Sequence, residues 1–210
     1  MKQPHPIRVL VVDDHQAFRL GLVAIVNENK DMQVVAEAGT GSEAIELCRT
    51  CRPDVVLMDL SLPGLSGVEA TIAIRERFPQ CRIIVVTTYD GDEDIYRALR
   101  SGVQGYLLKN MSKEEFVEVI RAVHSGEHRV PPNVANRLAA RVGRPEITPR
   151  EIEVLRLVVK GESNKGIAAA LAITEDTVKG HLKSIYTKLD VNDRTQAVIS
   201  ALQHGIMHLE

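Results

Sequence analysis

Residues 54–70 read DVVLMDLSLPGLSGVEA. Four consecutive apolar residues between two aspartates mark a short buried strand that ends at Asp59. The loop Ser61–Ser66 carries Pro63-Gly64, and Gly67–Phe78 follows helical spacing until Pro79 stops it. The same unit recurs on both sides. Upstream, IRVLVV (Ile7–Val12) is a strand, and Phe18, Leu22, Ile25 and Val26 recur at helical spacing. QVVAEA (Gln33–Ala38) is a second strand, followed by a helix over Gly41–Cys51 that Pro53 ends. Downstream come RIIVVT (Arg82–Thr87), a helix over Asp92–Ser101 closed by Gly102, and GYLLK (Gly105–Lys109). Ser112 and Glu115 then form a capping box, and Phe116, Val119, Ile120 and Val123 make one apolar helix face. Five strand–helix pairs predict an α/β domain, a doubly wound five-stranded parallel sheet with right-handed crossovers.

In an open parallel sheet, ligands bind at the carboxyl ends of the strands. Asp13, Asp14, Asp59, Thr87 and Lys109 all stand at or just past such ends. Three carboxylates, a hydroxyl and an ammonium should therefore converge. That set can hold a divalent cation and accept a phosphoryl group. Asp13 and Asp14 suit Mg²⁺, or another divalent cation, which prefers oxygen ligands. The cation would neutralise charge between Asp59 and the incoming group, and Lys109 would stabilise the phosphoryl oxygens. Single aspartates at strand ends are common turn residues, so the reading rests on the whole constellation. His15, beside it, starts the first helix and reads as a surface residue.

Gly126–Gly143 breaks the alternation. Pro131-Pro132 can start a short helix over Asn133–Val142, so residues 126–146 read as a linker with a helical middle. From Thr148 the strand pattern is gone. Thr148-Pro149-Arg150-Glu151 combines a capping box with proline at the first helical position. Further caps at Ser163 or Asn164 and at Thr174, with a fourth helix from about Asp193 to His204 closed by Gly205, predict four short helices, a small all-α domain over 147–208. On the third, Val178, Leu182, Ile185 and Leu189 should face the core. Lys179 and Lys183 are then neighbours on another face and can reach one groove of a duplex, with Gly180 permitting close approach.

The chain has 210 residues, 44% hydrophobic but only 3% aromatic and without tryptophan, so its cores must be built from Leu, Ile, Val and Ala. No stretch is long enough to cross a bilayer, and MKQPHP has no signal-peptide core, so a soluble cytoplasmic protein is expected. Cys48 and Cys51 form a lone C-x-x-C; with Cys81 they read as reduced, partly buried thiols rather than a metal site. Net charge is −2. Residues 1–127 hold 14 basic against 19 acidic side chains, whereas residues 144–210 hold nine of each. The acidic front half suits a cation site; DNA binding by the back half must come from local placement of charge.

The segments VVDDHQAFRLGL, DVVLMDLSLPGLSGVEA, VTTYD and GYLLKN, followed by the helical tail, resemble a two-component response regulator of the NarL/FixJ type. Such a chain joins a flavodoxin-like receiver domain, here residues 6–125, to a LuxR-type helix-turn-helix. The resemblance covers about residues 7–124 and 148–208. It implies that Asp59 is the phosphoacceptor, that Asp14 binds Mg²⁺ directly and Asp13 mainly through water, and that the Ser61 backbone carbonyl completes the metal ligands. Thr87 and Tyr106 would be the switch pair and Lys109 the phosphate-binding lysine. The recognition helix would carry Lys179 and Lys183 nearest the bases. Lys165, Thr174, Thr177, His181, Lys188 and Arg194 would be phosphate contacts. In the last helix Ala197, Val198, Ala201 and Leu202 form an apolar stripe, part of it on the core and the remainder available to a second copy. The implied partners are a sensor histidine kinase, double-stranded promoter DNA and a homodimer mate. No enzymatic activity is expected beyond self-phosphorylation from a phosphodonor and autodephosphorylation. Gly166 stands where the family commonly has Glu, Asn110 where many receivers have proline, and Ser61 and Tyr89 flank the pocket at variable positions. A phosphohydrolase using Asp59 is the main rival, but such enzymes usually carry an acid two residues on, where this chain has Ser61. A ligand-sensing LuxR-type regulator would not need the acid–lysine set, and a regulator that works unphosphorylated is a further alternative.

Overall fold

The computed structural model describes residues 5–88 and 91–207. Two compact units form, Met1–Asp90 with Ile95–Asn136, and Gly91–Asp94 with Arg137–Glu210. The first holds strands β1 (Ile7–Val12), β2 (Met32–Ala38), β3 (Val55–Met58), β4 (Arg82–Thr87) and β5 (Gly105–Leu108). Between and after them run α1 (Gln16–Asn27), α2 (Gly41–Cys51), α3 (Gly67–Arg77), α4 (Asp92–Arg100), whose first three residues belong to the second unit, and α5 (Lys113–Ser125). The strands pair in the order β2-β1-β3-β4-β5, all parallel. The predicted doubly wound sheet is therefore present. Helix α6 (Pro132–Arg141) begins one residue earlier than read, because proline fits the first turn, where the N–H it lacks would have had no acceptor within the helix.

Alternate strand residues point to opposite faces of the sheet. Val9, Val11, Leu57, Ile84, Val86 and Leu107 pack with Leu22 and Val26 of α1 and with Phe116, Ile120 and Val123 of α5. Residues of the other parity, Leu10, Val12, Val56, Met58, Ile83 and Val85, are equally buried, as are Ala44, Ala70 and Ile74 of α2 and α3. Both faces are thus covered, which explains why β1, β3 and β4 are continuous apolar runs rather than alternating ones.

Register sets the height of each functional residue. Val12 lies opposite Met58, Met58 opposite Val85, and Thr87 opposite Leu108. Asp13 and Asp59 are the next residues on adjacent strands, and Lys109 is the next residue past Thr87's partner. The Asp59 and Lys109 amides each keep one last bond to the neighbouring strand, to the carbonyls of Val12 and Thr87 at 2.9 Å. The chain turns away immediately after, so β3 and β5 stop one residue before the ends read from sequence.

The second unit holds α7 (Pro149–Val159), α8 (Asn164–Leu171), α9 (Glu175–Leu189) and α10 (Arg194–Gln203). Side chains of Thr148, Ser163 and Thr174 cap the first three as expected, and the Asp193 side chain caps α10. Their core joins Val154, Leu155 and Val158 to Ile167, Val178, Leu182, Ile185 and Ala201. Charged groups are buried in this unit too, Glu151 among them. Glu151, 4% exposed, closes the Thr148 capping box and also accepts hydrogen bonds from Ser184 Oγ at 2.6 Å and Lys188 Nζ at 2.7 Å. Burial alone would push the carboxyl up; the bonds from Lys188, Ser184 and Thr148 outweigh it and hold it at about 2.

A folded-state value so far below the ordinary 4.5 means that ionised Glu151 stabilises the unit above about pH 4.5, and that this contribution is lost as pH falls toward 2. The difference amounts to roughly 3 kcal/mol. In urea melts at neutral pH, Glu151→Gln should lose most of that stability, and the gap from wild type should narrow steadily as pH is lowered from 4.5 toward 2. A gap that stays constant with pH would show that charge is not what Glu151 contributes.

Candidate functional site

Lys109 and Asp59 are 50 residues apart in sequence, yet Lys109 Nζ donates to Asp59 Oδ2 at 2.8 Å and lies 2.7 Å from Asp13 Oδ2. The two carboxylates are each 1% exposed. Burial raises the Asp59 carboxyl first of all; Lys109 pulls it back, the neighbouring charge of Asp13 pushes it further, and the net direction is up. For Lys109 burial works downward, but its bonds to Asp13 and Asp59 prevail and the ammonium is held above its ordinary value. The pocket thus concentrates negative charge that a single ammonium only partly offsets.

The supporting contacts come from neighbouring elements. Asp13 Oδ1 accepts the His15 backbone N–H at 2.8 Å, and the Arg19 guanidinium donates to the Asp13 carbonyl. Asp59 Oδ1 accepts the Ser61 N–H at 3.3 Å. The Phe18 ring stands 4.8 Å from Lys109 Nζ, close enough to steady the ammonium by cation–π attraction. A cavity of 180 Å³ opens beside it, lined by Thr88, Leu108, Lys109 and Asn110. Thr87, at the end of β4, and Tyr106, the second residue of β5, are fully buried. Tyr89 lies outside the described residues. Sequence reading had placed Phe18 only in the core of α1 and had not found Arg19 or Gly67. Only the position of Phe18 and Arg19 in the first turns after the paired aspartates hints at their roles.

Asp13, Asp14, His15 and Asp59 each offer one ligand atom, and these atoms lie within 4.8 Å of one another. A cluster of hard carboxylate oxygens at excess negative charge fits a hard divalent cation such as Mg²⁺. Among the described residues no such group includes a cysteine. Cys48 is in contact with the Cys81 thiol, and that contact together with burial raises its pKa and keeps it protonated.

On α9, Thr177, Lys179, Gly180 and Lys183 are exposed while Val178, Leu182 and Ile185 are buried, as the spacing predicts. Lys165 and Thr174 are also exposed, and His181 is half-buried. Lys179 Nζ is paired with Asp176 at 2.9 Å. Lys188 and Arg194 are half-buried and also bond within the unit. Lys188 is tied to Glu151 and to the Glu146 carbonyl, and Arg194 donates to the carbonyls of Val158 and Glu162. In α10, Ala197 and Ala201 are wholly buried and so form the part of the stripe that covers the core. Val198 and Leu202 pack half-exposed on the core, and the exposed apolar residue is Ile199, at 49%.

A doubly wound sheet with this acid–lysine pocket, joined to a four-helix tail that exposes lysines on its third helix, defines a phosphorylation-controlled transcription regulator. Residues 9–121 match the response regulator receiver domain family and residues 145–201 the luxR family of bacterial regulatory proteins. The chain belongs to the two-component response regulators with a LuxR-type output domain. It is 41% identical over 206 residues to the response regulator VraR of Staphylococcus epidermidis, covering 96% of this chain and 99% of that one. VraR of Staphylococcus saprophyticus is 42% identical over 207 residues, with the same coverage. Among solved structures it is similar to the response regulator ChrA of a haem-sensing two-component system (39% identity, TM-score 0.59, 96% of this chain and 99% of that one). It is also similar to the response regulator RcsB in complex with DNA (25% identity, TM-score 0.67, 93% and 98%). Among the described residues no helix is long and apolar enough to cross a membrane.

Proposed function

We propose that Asp59 accepts the phosphoryl group from a sensor histidine kinase. The observation that carries this reading is the direct bond between Lys109 and Asp59, with Asp13 on the same ammonium. An Asp59 oxygen attacks phosphorus, the P–N bond to the donor histidine breaks, and the imidazole leaves with the electron pair. Asp14, Asp59 and the Ser61 carbonyl would hold Mg²⁺, with Asp13 acting through water, because both Asp13 oxygens already face partners. When bound, the cation supplies positive charge to the crowded carboxylates and the transferred oxygens. Lys109 then moves from the free carboxylate to the phosphoryl oxygens, and Thr87 and Tyr106 relay the change. The protein acts in the cytoplasm as a DNA-binding homodimer. Lys179 and Lys183 face base edges, and Lys165, Thr174, Thr177, His181, Lys188 and Arg194 contact the backbone. Of the α10 stripe, Val198 and Leu202, extended by Ile199, meet the second copy.

A mobility shift over a pool of random duplexes, with and without a beryllium fluoride mimic of the phosphate, tests the reading. Selective retention that strengthens with the mimic is expected; identical retention in both arms would overturn phosphate control. On the selected duplex, Lys179→Ala and Lys183→Ala should each weaken binding by about 10–100-fold, and random-sequence binding by much less. Equal losses on both duplexes would make these lysines backbone contacts.

A further inference from the structure

We propose that Phe18 is a positioning residue for phosphoryl transfer: the face of its ring holds the Lys109 ammonium beside Asp59 and sets how fast the phosphoryl group is taken up. The inference deepens the reading of Asp59 as phosphoacceptor and of Lys109 as its phosphate-binding lysine, and rests on it.

Phe18 heads the apolar stripe of α1. Phe18, Leu22 and Val26 recur at every fourth residue; Leu22 and Val26 are buried in the sheet core, while Phe18 is half-buried. Helix α1 starts where β1 ends, so its first turn stands at the same edge of the sheet as Asp13 and Asp59. Arg19, the next residue, fixes that turn by donating to the Asp13 carbonyl. The Phe18 ring centroid comes within 4.8 Å of Lys109 Nζ, inside the range of about 6 Å for cation–π attraction. The Lys109 side chain is only 11% exposed, and such attraction strengthens where water is excluded.

The ring supplies what the two carboxylates cannot. In the unphosphorylated pocket Lys109 Nζ lies 2.8 Å from Asp59 Oδ2 and 2.7 Å from Asp13 Oδ2. Phosphoryl transfer turns the Asp59 carboxylate into an acyl phosphate, so its own pull on Lys109 weakens just as the phosphoryl oxygens need the ammonium. Asp13 is unchanged and draws Nζ back toward itself. The lysine stem is flexible, and the cavity of 180 Å³ lined by Thr88, Leu108, Lys109 and Asn110 gives it another place to lie. The ring is neutral and has no oxygen to compete for the three N–H groups of the ammonium. It therefore holds the charge through the whole step and leaves those groups to the phosphoryl oxygens. An aliphatic side chain would fill the same core space without that attraction.

The test is a series of full-length chains in which Phe18 carries one, two or three fluorines on its ring, alongside Phe18→Leu and the same fluorinated series at Phe116. Fluorine draws charge from the ring face and weakens its hold on a cation while nearly keeping the ring's shape. Uptake of radiolabel from acetyl phosphate with Mg²⁺ present is timed, and each chain is melted. With each fluorine added at Phe18 the uptake rate should fall, by about tenfold over the series, and Phe18→Leu should fall at least as far. The fluorinated chains should melt with wild type, whatever Phe18→Leu costs in folding. The series at Phe116, which is buried in the same core, should show no trend. A flat series at Phe18 would overturn the proposal, since the ring would then be core packing alone. Equal trends at both positions, or a rate that falls only as the melting temperature falls, would overturn it too. If wild type takes up no label, or Asp59→Asn takes it up as wild type does, the reading of Asp59 fails, and this inference with it.

Discussion

Asp59→Asn should take up no phosphate from a small acyl phosphate or a phosphorylated kinase, a fall of roughly 1000-fold or more against wild type. The amide is a poor nucleophile, and the buried Asp13 carboxylate beside it is turned toward Lys109 rather than toward an open donor site. Loss of folding would not explain the result. Burial, with added repulsion from Asp13, raises the Asp59 carboxyl, so its ionisation at neutral pH costs folding free energy. A neutral isostere removes that cost, and the variant should melt at or above the wild-type temperature. Radiolabel transfer and a melting curve on the same preparation decide the matter. Labelling at the wild-type level would remove Asp59 from the phosphoacceptor role, whereas lost labelling with a lowered melting temperature would point to a structural part.

The second large effect is expected at Gly67, the first residue of α3. A Cβ there would overlap the Asp59 carbonyl oxygen and stand 2.8 Å from both the Asp59 carbonyl carbon and the Leu60 Cα. All three are backbone atoms, so no rotamer change relieves the clash. Gly67→Ala must move either α3 or the chain segment that presents the phosphoacceptor. We expect a loss of about 3 kcal/mol in receiver stability. Phosphorylation by the acyl phosphate should slow by about 100-fold, since a displacement near 1 Å at a reacting group has that effect. Gly21→Ala is the matched control: nothing lies within 4 Å of its new Cβ, and it should be neutral or raise stability by about 1 kcal/mol. Equal behaviour of the two variants would refute the account of Gly67.

Much of this was legible from sequence because the apolar runs are short, continuous and punctuated. β4 has the bounds read for it, Arg82–Thr87, and α2 the bounds Gly41–Cys51, because a long apolar run in one case and Pro53 in the other leave no choice of register or stop. The convergence of Asp13, Asp59 and Lys109 followed from strand ends in a parallel sheet and needed no knowledge of side-chain rotamers. What stayed hidden depends on partners distant in sequence. Lys188 looks like any basic residue late in a DNA-facing helix, until Glu151, 37 residues earlier, proves to be its partner. The α10 stripe could not be divided by periodicity, since a face turned to the unit's own core and one turned to a second copy have the same spacing. Only packing shows that Ala197 and Ala201 are taken and that Ile199 is exposed. The side chain of His15 was read as a surface residue, which its exposure supports, but its approach to Asp14 is a matter of rotamer alone.

The strand alignment in which Val12 meets Met58 and Thr87 meets Leu108 limits how such chains can drift in length. Gaining or losing one residue inside β1, β3 or β5 would turn Asp13, Asp59 or Lys109 to the wrong side of the sheet and leave a charge in the hydrocarbon interior. Connections at the opposite edge, such as those entering β2 and β4, bear no such constraint. Natural variation in size should therefore gather at the amino ends of the strands, and the spacing of the three charged residues from their own strands should stay fixed.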